Sequence, residues 1–433
     1  MSDLSPQPNI TITPRYRHPP WLLLLLLIPA IIFPHRLWLT LMVSLGLIYL
    51  IARRWAHTLG HNLHAQRHLH HDWLAVGDQL TEQFTLHNPT LFPALWLQIN
   101  DHSNIPNYRL QVVHSLSPRG QYRWRQQAIC QQRGHFHLGP WTLHTSDPFG
   151  LFHVAIHYPQ QHDIIIHPPI HRALPLPLPA GQHQGRANRA RPNWHANNQT
   201  SATRPYQPGD PRRWIHWPTS ARHNSLHVRQ FDANSDGDIW LLLDLDHNSH
   251  LNPGPDGTEE HMVILAAALT ARALRQQRPI GLALYQDDAP SRLPPQLGQG
   301  QLWRALRALA LLRANSPYPL DQTLTDFARY PQRGASILII TPNLTPAWLP
   351  ALTELQRHGL PASLVLLDRY TFGDTTLPPH HAAQFQNQLH HLGLTTHLSA
   401  HGQTGVPPEQ HQSANKKYRS THHHTYQPQP TFS

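Results

Sequence analysis

Two apolar runs near the N-terminus constrain this chain more than any other feature. "WLLLLLLIPAIIF" (residues 21–33) is followed by Pro34, His35 and Arg36, and then by "LWLTLMVSLGLIYLIA" (residues 37–52). Neither run alone reaches the ~20 residues that usually span ~30 Å of hydrocarbon. With flanking residues, each suits a thin or locally thinned bilayer. One continuous helix would hold Arg36 near mid-membrane, an expensive place for a charge. A hairpin instead places Arg36 at the far interface, where Pro34 turns the chain. Arg15 and Arg17 precede the first run, and Arg53 and Arg54 follow the second. By the positive-inside rule both ends then face the cytoplasm. Trp21, Trp38 and Trp55 suit interfacial positions. The first run has no small-residue cleavage site and a second apolar run follows at once, which argues against a cleaved signal peptide. The expectation is a cytoplasmic tail over residues 1–20 and a transmembrane helical hairpin over residues 21–55.

The rest of the 433 residues is too long for one ordinary domain. Its 43 prolines argue for turns, edge strands and linkers rather than a helical bundle. The formal charge of +10 suits anionic lipid or an acidic partner. Nucleic acid is not favoured, because the arginines are scattered rather than massed. Cys130 is the single cysteine, so no intrachain disulfide exists.

Residues 60–170 read as a small antiparallel β-sandwich. "DQLTEQFTLHNPT", "ALWLQIND", "YRLQVV" and "YRWRQQAIC" are short alternating runs closed by turn residues. In the first of them Leu80, Phe84 and Leu86 are candidates for one face. "RGHFHLGPWTLHTSDPFGLF" reads as two strands joined at Gly139 and Pro140. His57, His61, His64, His68 and His71 form one stripe if helical, but no carboxylate or cysteine joins them at a ligand spacing. With 38 histidines in the chain, such stripes arise by chance, and no metal is expected there. Residues 171–203, rich in Pro and Arg and without periodicity, read as a linker or long exposed loop.

Residues 204–400 alternate strand and helix. "DIWLLLDLD" is a buried parallel strand with acids at its end, and "TEEHMVILAAALTARALRQQ" is a helix with acids in its first turn and arginines near its last. The strands "IGLALY", "SILIIT", "SLVLLD" and "LTTHLS" follow, separated by helical patterns. This predicts an α/β domain with a doubly wound, mostly parallel sheet. In such sheets a ligand sits beyond the C-terminal strand ends at a switch point. Asp244, Asp246, Asn248, Thr341, Asn343 and Asp368 lie at those ends. The tail over residues 401–433 is polar and reads as disordered.

"RPYQPGDPRRWIHWPTSARHNSLHVRQF" leads into the first of these strands. Together with "RGHFHLGP", "DPFGLF" and the N-terminal hairpin, it resembles the bacterial domain-of-unknown-function 58 family across about residues 20–400. Arg204, Tyr206, Gly209, Asp210, Ile215, Trp217 and Arg222 match that family's core motif. The resemblance implies a von Willebrand factor A-like C-terminal domain, a location at the bacterial cytoplasmic membrane with the bulk of the chain in the cytoplasm, and a MoxR-type AAA+ ATPase as partner. It implies a protein-interaction or adaptor protein rather than an enzyme. The residues agree, since no P-loop, no Gly-x-Ser-x-Gly elbow and no partner motif for Cys130 occur.

The von Willebrand A fold often holds Mg²⁺ through Asp-x-Ser-x-Ser. Here Asp244, Asp246 and Asn248 occupy that stretch without the hydroxyl pair, so a degenerate, metal-free site is favoured over a Mg²⁺ site and its cation-dependent adhesion. The core motif has two readings. In the favoured one it is a docking hairpin, with Trp214, Ile215 and Trp217 packed inward. In the other, Arg204, Arg212, Arg213 and Arg222 form a recognition surface. A third class of function is anionic-surface binding through the basic linker, tested by salt dependence.

Overall fold

The computed structural model describes residues 8–15, 28, 31, 36–69, 73–171, 176–179, 200–206, 215–231, 237–286, 290–330 and 334–403. The chain divides into two compact units, chiefly residues 1–169 and 170–404.

The first unit opens with a difference from expectation. Residues expected in a free tail form strand β1 (Asn9–Pro14), which pairs antiparallel with β10 (Phe152–Tyr158). The alternating "NITITP" turns Ile10 and Ile12 toward the core. The first apolar run lies outside the described residues except for Ile28 and Ile31, both helical and exposed. The second run belongs to helix α1 (Arg36–Asn62), which continues ten residues past the apolar stretch. Its N-terminal part leaves Leu37, Leu39, Val43, Leu47 and Leu50 exposed, whereas Ala52, Ala56, Leu59 and Gly60 are buried. Gly60 lies at a close crossing, where a Cβ would stand 3.3 Å from side-chain carbons of Ile10, Ile12 and Val154. Trp55, expected at a lipid interface, instead donates its indole N–H to the Pro93 carbonyl and lies against Phe92.

Past α1 come β2 (His64–Leu69), β3 (Leu74–Ala75), β4 (Gln79–His87), β5 (Ala94–Asp101), β6 (Gln111–Leu116), β7 (Gln121–Ile129), β8 (Gly134–Leu138), β9 (Trp141–Ser146) and, after β10, β11 (His162–His167). Three sheets result, in orders β1-β10-β9-β5-β6, β3-β11-β8 and β2-β4-β7. Their alternating strands send Leu80, Phe84, Leu97, Leu138, Leu143, Val154 and Ile166 into one apolar core. The histidine stripe is broken, since the helix ends at Asn62 and His64 already lies on β2.

That core also holds charges the pattern did not announce. On β4, Glu82 takes an inward position and is fully buried. Arg67 on β2 places Nε 2.7 Å from Glu82 Oε2 and Nη2 2.8 Å from Asp101 Oδ2, the latter an ion pair without an aligned hydrogen bond. Tyr108 accepts from Arg67 Nη2 and donates to Glu82. Burial alone would lower the Arg67 guanidinium's pKa; the Glu82 hydrogen bond and charge more than offset this and hold it above its ordinary value.

In the second unit, part of the expected linker is built in. Arg272 and Arg278 donate to the carbonyls of Leu176 and Pro179. Strand β12 (Thr200–Pro205) pairs antiparallel with β13 (His227–Phe231), and the short helix α2 (Trp217–His223) lies between them in sequence. The main sheet comprises β14 (Ile239–Leu243), β15 (Ile280–Tyr285), β16 (Pro290–Gln296), β17 (Ser336–Thr341), β18 (Ala362–Leu367) and β19 (Thr395–Ser399). Its order is β16-β15-β14-β17-β18-β19, with all neighbours parallel except the antiparallel β16 edge. Every residue of β14, β15, β17 and β18 is buried, the pattern of a parallel sheet covered on both faces. Helix α3 (Thr258–Arg275) lies against β15 and β17, and α4 (Gln299–Leu311) follows β16. Helices α5 (Leu320–Ala328), α6 (Leu349–Arg357) and α7 (His381–His391) pack Phe327, Leu355 and Phe385 into a layer with Leu242, Ile339 and Leu364.

Candidate functional site

The chain leaves β14 toward β15 on one side and later returns to β17 on the other. The C-terminal ends of β14 and β17 therefore flank the switch point, where such sheets leave a crevice. Asp244 and Thr341 meet there: the Thr341 hydroxyl donates to Asp244 Oδ2 at 2.5 Å, and the Asp246 amide donates to Oδ1 at 3.3 Å. Asp244 is buried, and burial pushes its carboxyl up to about 6, against the lowering effect of the Thr341 bond. His250 bonds through Nε2 to the Asp244 carbonyl at 2.8 Å and through Nδ1 to the Thr258 hydroxyl at 3.1 Å, which ties the strand end to the start of α3.

Asp246 is also buried. Its Oδ1 accepts from the backbone N–H and the side-chain amide of Asn248. The Asn343 carboxamide oxygen accepts from the Thr345 backbone and hydroxyl, and the Asn343 N–H donates to Thr341 Oγ1. The structure joins Asp244 to Thr341 at the strand ends, while Asn248 turns its amide nitrogen, not its oxygen, toward Asp246. Asp368, after β18, donates its N–H to Ser399. Burial raises its carboxyl.

The core motif divides. Gly209, Asp210, Arg212, Arg213 and Trp214 lie outside the described residues. Arg204 pairs with Val228 in the β12–β13 ladder, and the Tyr206 N–H donates to the Leu226 carbonyl. Ile215 is buried and bridges Val228, so Arg204 and Ile215 both pair with the same residue of β13. Ile215 is packed inward. Trp217 is not: it is 66% exposed at the first position of α2, with Arg222 exposed in the last turn and Leu226 exposed beyond it. His216 caps α2 by accepting from the Thr219 N–H.

The fold and strand-end site define a mixed, mostly parallel α/β domain with a buried carboxylate at its switch point, preceded by a two-stranded ladder. Residues 202–380, from β12 to the start of α7, match the family described as "Protein of unknown function DUF58". A protein of Bacillus subtilis, uncharacterized protein YeaD, is 23% identical over 65% of this chain and 70% of its own length. Uncharacterized protein Rv1480 of Mycobacterium tuberculosis is 29% identical over 41% of this chain and 56% of its own length, so the match spans little more than half of that relative. Among solved structures, a beta-glucosidase from Listeria innocua aligns at a TM-score of 0.17 and 10% identity, covering 24% of this chain and 16% of that one.

Proposed function

We propose that this chain is a membrane-anchored protein-interaction protein of the bacterial cytoplasmic membrane, acting with a MoxR-type AAA+ ATPase. The observation that carries the anchor is α1. Its N-terminal part exposes apolar side chains that a folded soluble unit would cover, and its C-terminal part is built into the β core. Anchor and body are therefore one rigid element. The pairing of β1 with β10 adds a topological reason for the hairpin. Pro14 and the C-terminal end of α1 belong to the same β unit, so the chain leaves and re-enters that unit on one side of the membrane. Arg36 to Ile51 is about 24 Å of helix at 1.5 Å per residue, which suits a thinned bilayer with Arg36 at the far interface.

The test uses single cysteines in a Cys130→Ser background, in sealed vesicles with the β unit outside. Cysteines at Thr13 and Thr58 are expected to react with an impermeant maleimide, and a cysteine at Arg36 only after permeabilisation. Labelling of position 36 in intact vesicles would sink the hairpin.

The first unit is read as a β-sandwich and the second as a von Willebrand A-like domain. The antiparallel edge strand and the switch-point aspartate support the second reading. The donor set fits Mg²⁺ poorly. Both Asp244 oxygens take protein N–H or O–H donors, Asn248 presents its amide nitrogen, and the Asn343 oxygen is engaged by Thr345. Binding is therefore read as metal-independent, through the exposed Trp217 and Arg222 beside β13. Trp217→Ala is expected to weaken ATPase binding about 30-fold. Because the indole is exposed, stability should move by less than about 0.5 kcal/mol. Calorimetry of the full chain in detergent, with Mg²⁺ and then with EDTA, checks both claims. Binding lost in EDTA would move the site to Asp244 and Asp246, and no binding in either condition would remove the partner.

A further inference from the structure

His135 and His137 lie two residues apart on β8, so they share a face, while Phe136 and Leu138 point into the core. The antiparallel register with β11 sets Asp163 directly opposite His137. His137 Nδ1 lies 2.7 Å from Asp163 Oδ1, and His135 Nε2 lies 3.9 Å from Asp163 Oδ2. The two imidazoles stand edge to face with centroids 4.7 Å apart. One donor atom from each of the three residues lies within 4.8 Å of the others.

We propose that His135, His137 and Asp163 form a zinc site on the surface of the β unit, with the metal bridging β8 and β11. Two imidazoles and a carboxylate are a donor set that Zn²⁺ takes at about 2.0–2.2 Å, leaving a position for water. Tetrahedral ligands at that bond length stand about 3.4 Å apart, so small side-chain rotations close the set. The metal takes the place of the proton shared by His137 and Asp163. His137's hydrogen bond holds the Asp163 carboxyl below its ordinary value.

The backbone under the ligands is fixed. The His137 N–H donates to Asn104 Oδ1 at 2.6 Å, and the Asn104 N–H donates to the His137 carbonyl at 3.1 Å. Gln161 reaches Asp163 Oδ1 from the side at 3.5 Å. Other close histidine pairs differ in chemistry. His57 stacks on His61, and His144 meets His153 at 3.0 Å, but neither pair belongs to a three-ligand group with a carboxylate among the described residues. In a chain with 38 histidines, that carboxylate is what separates a site from a coincidence.

The experiment titrates Zn²⁺ into the full chain in detergent at pH 7.5 by calorimetry, comparing wild type with His135→Gln and with Asp163→Asn. His135→Gln leaves the His137–Asp163 bond intact, so misfolding cannot stand in for loss of a ligand. The expected result is one tight zinc equivalent in the wild type, weakened about 100-fold in each variant. Weaker sites elsewhere on the histidine-rich chain remain equal in all three proteins. If both variants bind the same number of tight equivalents as the wild type, the site is refuted. It is equally refuted if the wild type has no tight equivalent.

Discussion

Replacing Arg67 by methionine is expected to destabilise the β unit by about 3–5 kcal/mol, the cost of removing one partner from a buried ion pair. Arg67 stands between two buried carboxylates and against the faces of Phe84 and Tyr108. Without it, Glu82 and Asp101 face each other across apolar packing with no cation. The change in volume is small, so the loss reports charge rather than a cavity. A triple variant, Arg67→Met with Glu82→Leu and Asp101→Asn, is expected to recover most of the loss, because it removes the desolvated charges together. Urea unfolding in detergent, read from the fluorescence of Trp124 and Trp141 packed around Phe84, measures both. If the single variant loses less than about 1 kcal/mol, the range of surface pairs, the cluster is hydrated and the argument fails.

This cluster shows why part of the molecule was legible in the sequence and part was not. In "DQLTEQFTLHNPT" the period of two placed Leu80, Phe84 and Leu86 inward, and the structure agrees. The same period places Glu82 inward, yet its chemistry says surface. Only its partner on β2, brought in by pairing across the sheet, reconciles the two. The parallel strands of the second unit were readable because each is a continuous apolar run between turn residues, and Asp244 was readable because it ends one. Strand β16 was missed because "PSRLPPQ" carries three prolines, which suit only an edge. Strand β1 was missed because six residues beside a long apolar run carry little weight of their own. His135 and His137 were visible as an alternating pair, but Asp163 joins them only through the β8–β11 register, which sequence spacing does not encode.

Asp244→Asn is expected to stabilise the second unit at pH 7 and to make it acid-sensitive. Two buried groups there titrate in opposite directions. His261 on α3, bonded to the Ser399 hydroxyl, is pushed down to about 4, first by burial and then by His401. Between its unfolded pKa near 6.5 and about 4, the unfolded chain binds a proton that the folded chain refuses. Stability therefore falls with acid, by about 1.4 kcal/mol per pH unit. Asp244 is pushed up to about 6. Between that value and its unfolded pKa near 3.9, the folded chain holds the extra proton, so stability rises with acid by a similar amount. Going from pH 7 to 5, His261 costs about 2 kcal/mol and Asp244 returns about 1.4, which leaves the wild type nearly level. Burial also lowers His250 and His397 and raises Asp238 and Asp368, so the opposition extends beyond this pair. The asparagine variant removes the charge cost, about 3 kcal/mol at pH 7, and keeps both hydrogen bonds by letting its amide donate to Thr341. On going to pH 5 it then loses about 1.4 kcal/mol more than the wild type, because the return from Asp244 is gone. Adding His261→Gln to Asp244→Asn should flatten the profile again. Hydrogen exchange in β14 and β17, followed from pH 7 to 5 with the intrinsic exchange rate divided out, measures these slopes in the second unit alone. Equal slopes for wild type and Asp244→Asn would mean that Asp244 is hydrated and titrates as an ordinary carboxylate. The Thr341 bond would then be the contact of an exposed strand end, and the switch point would be open to water and to ligands that the buried arrangement turns away.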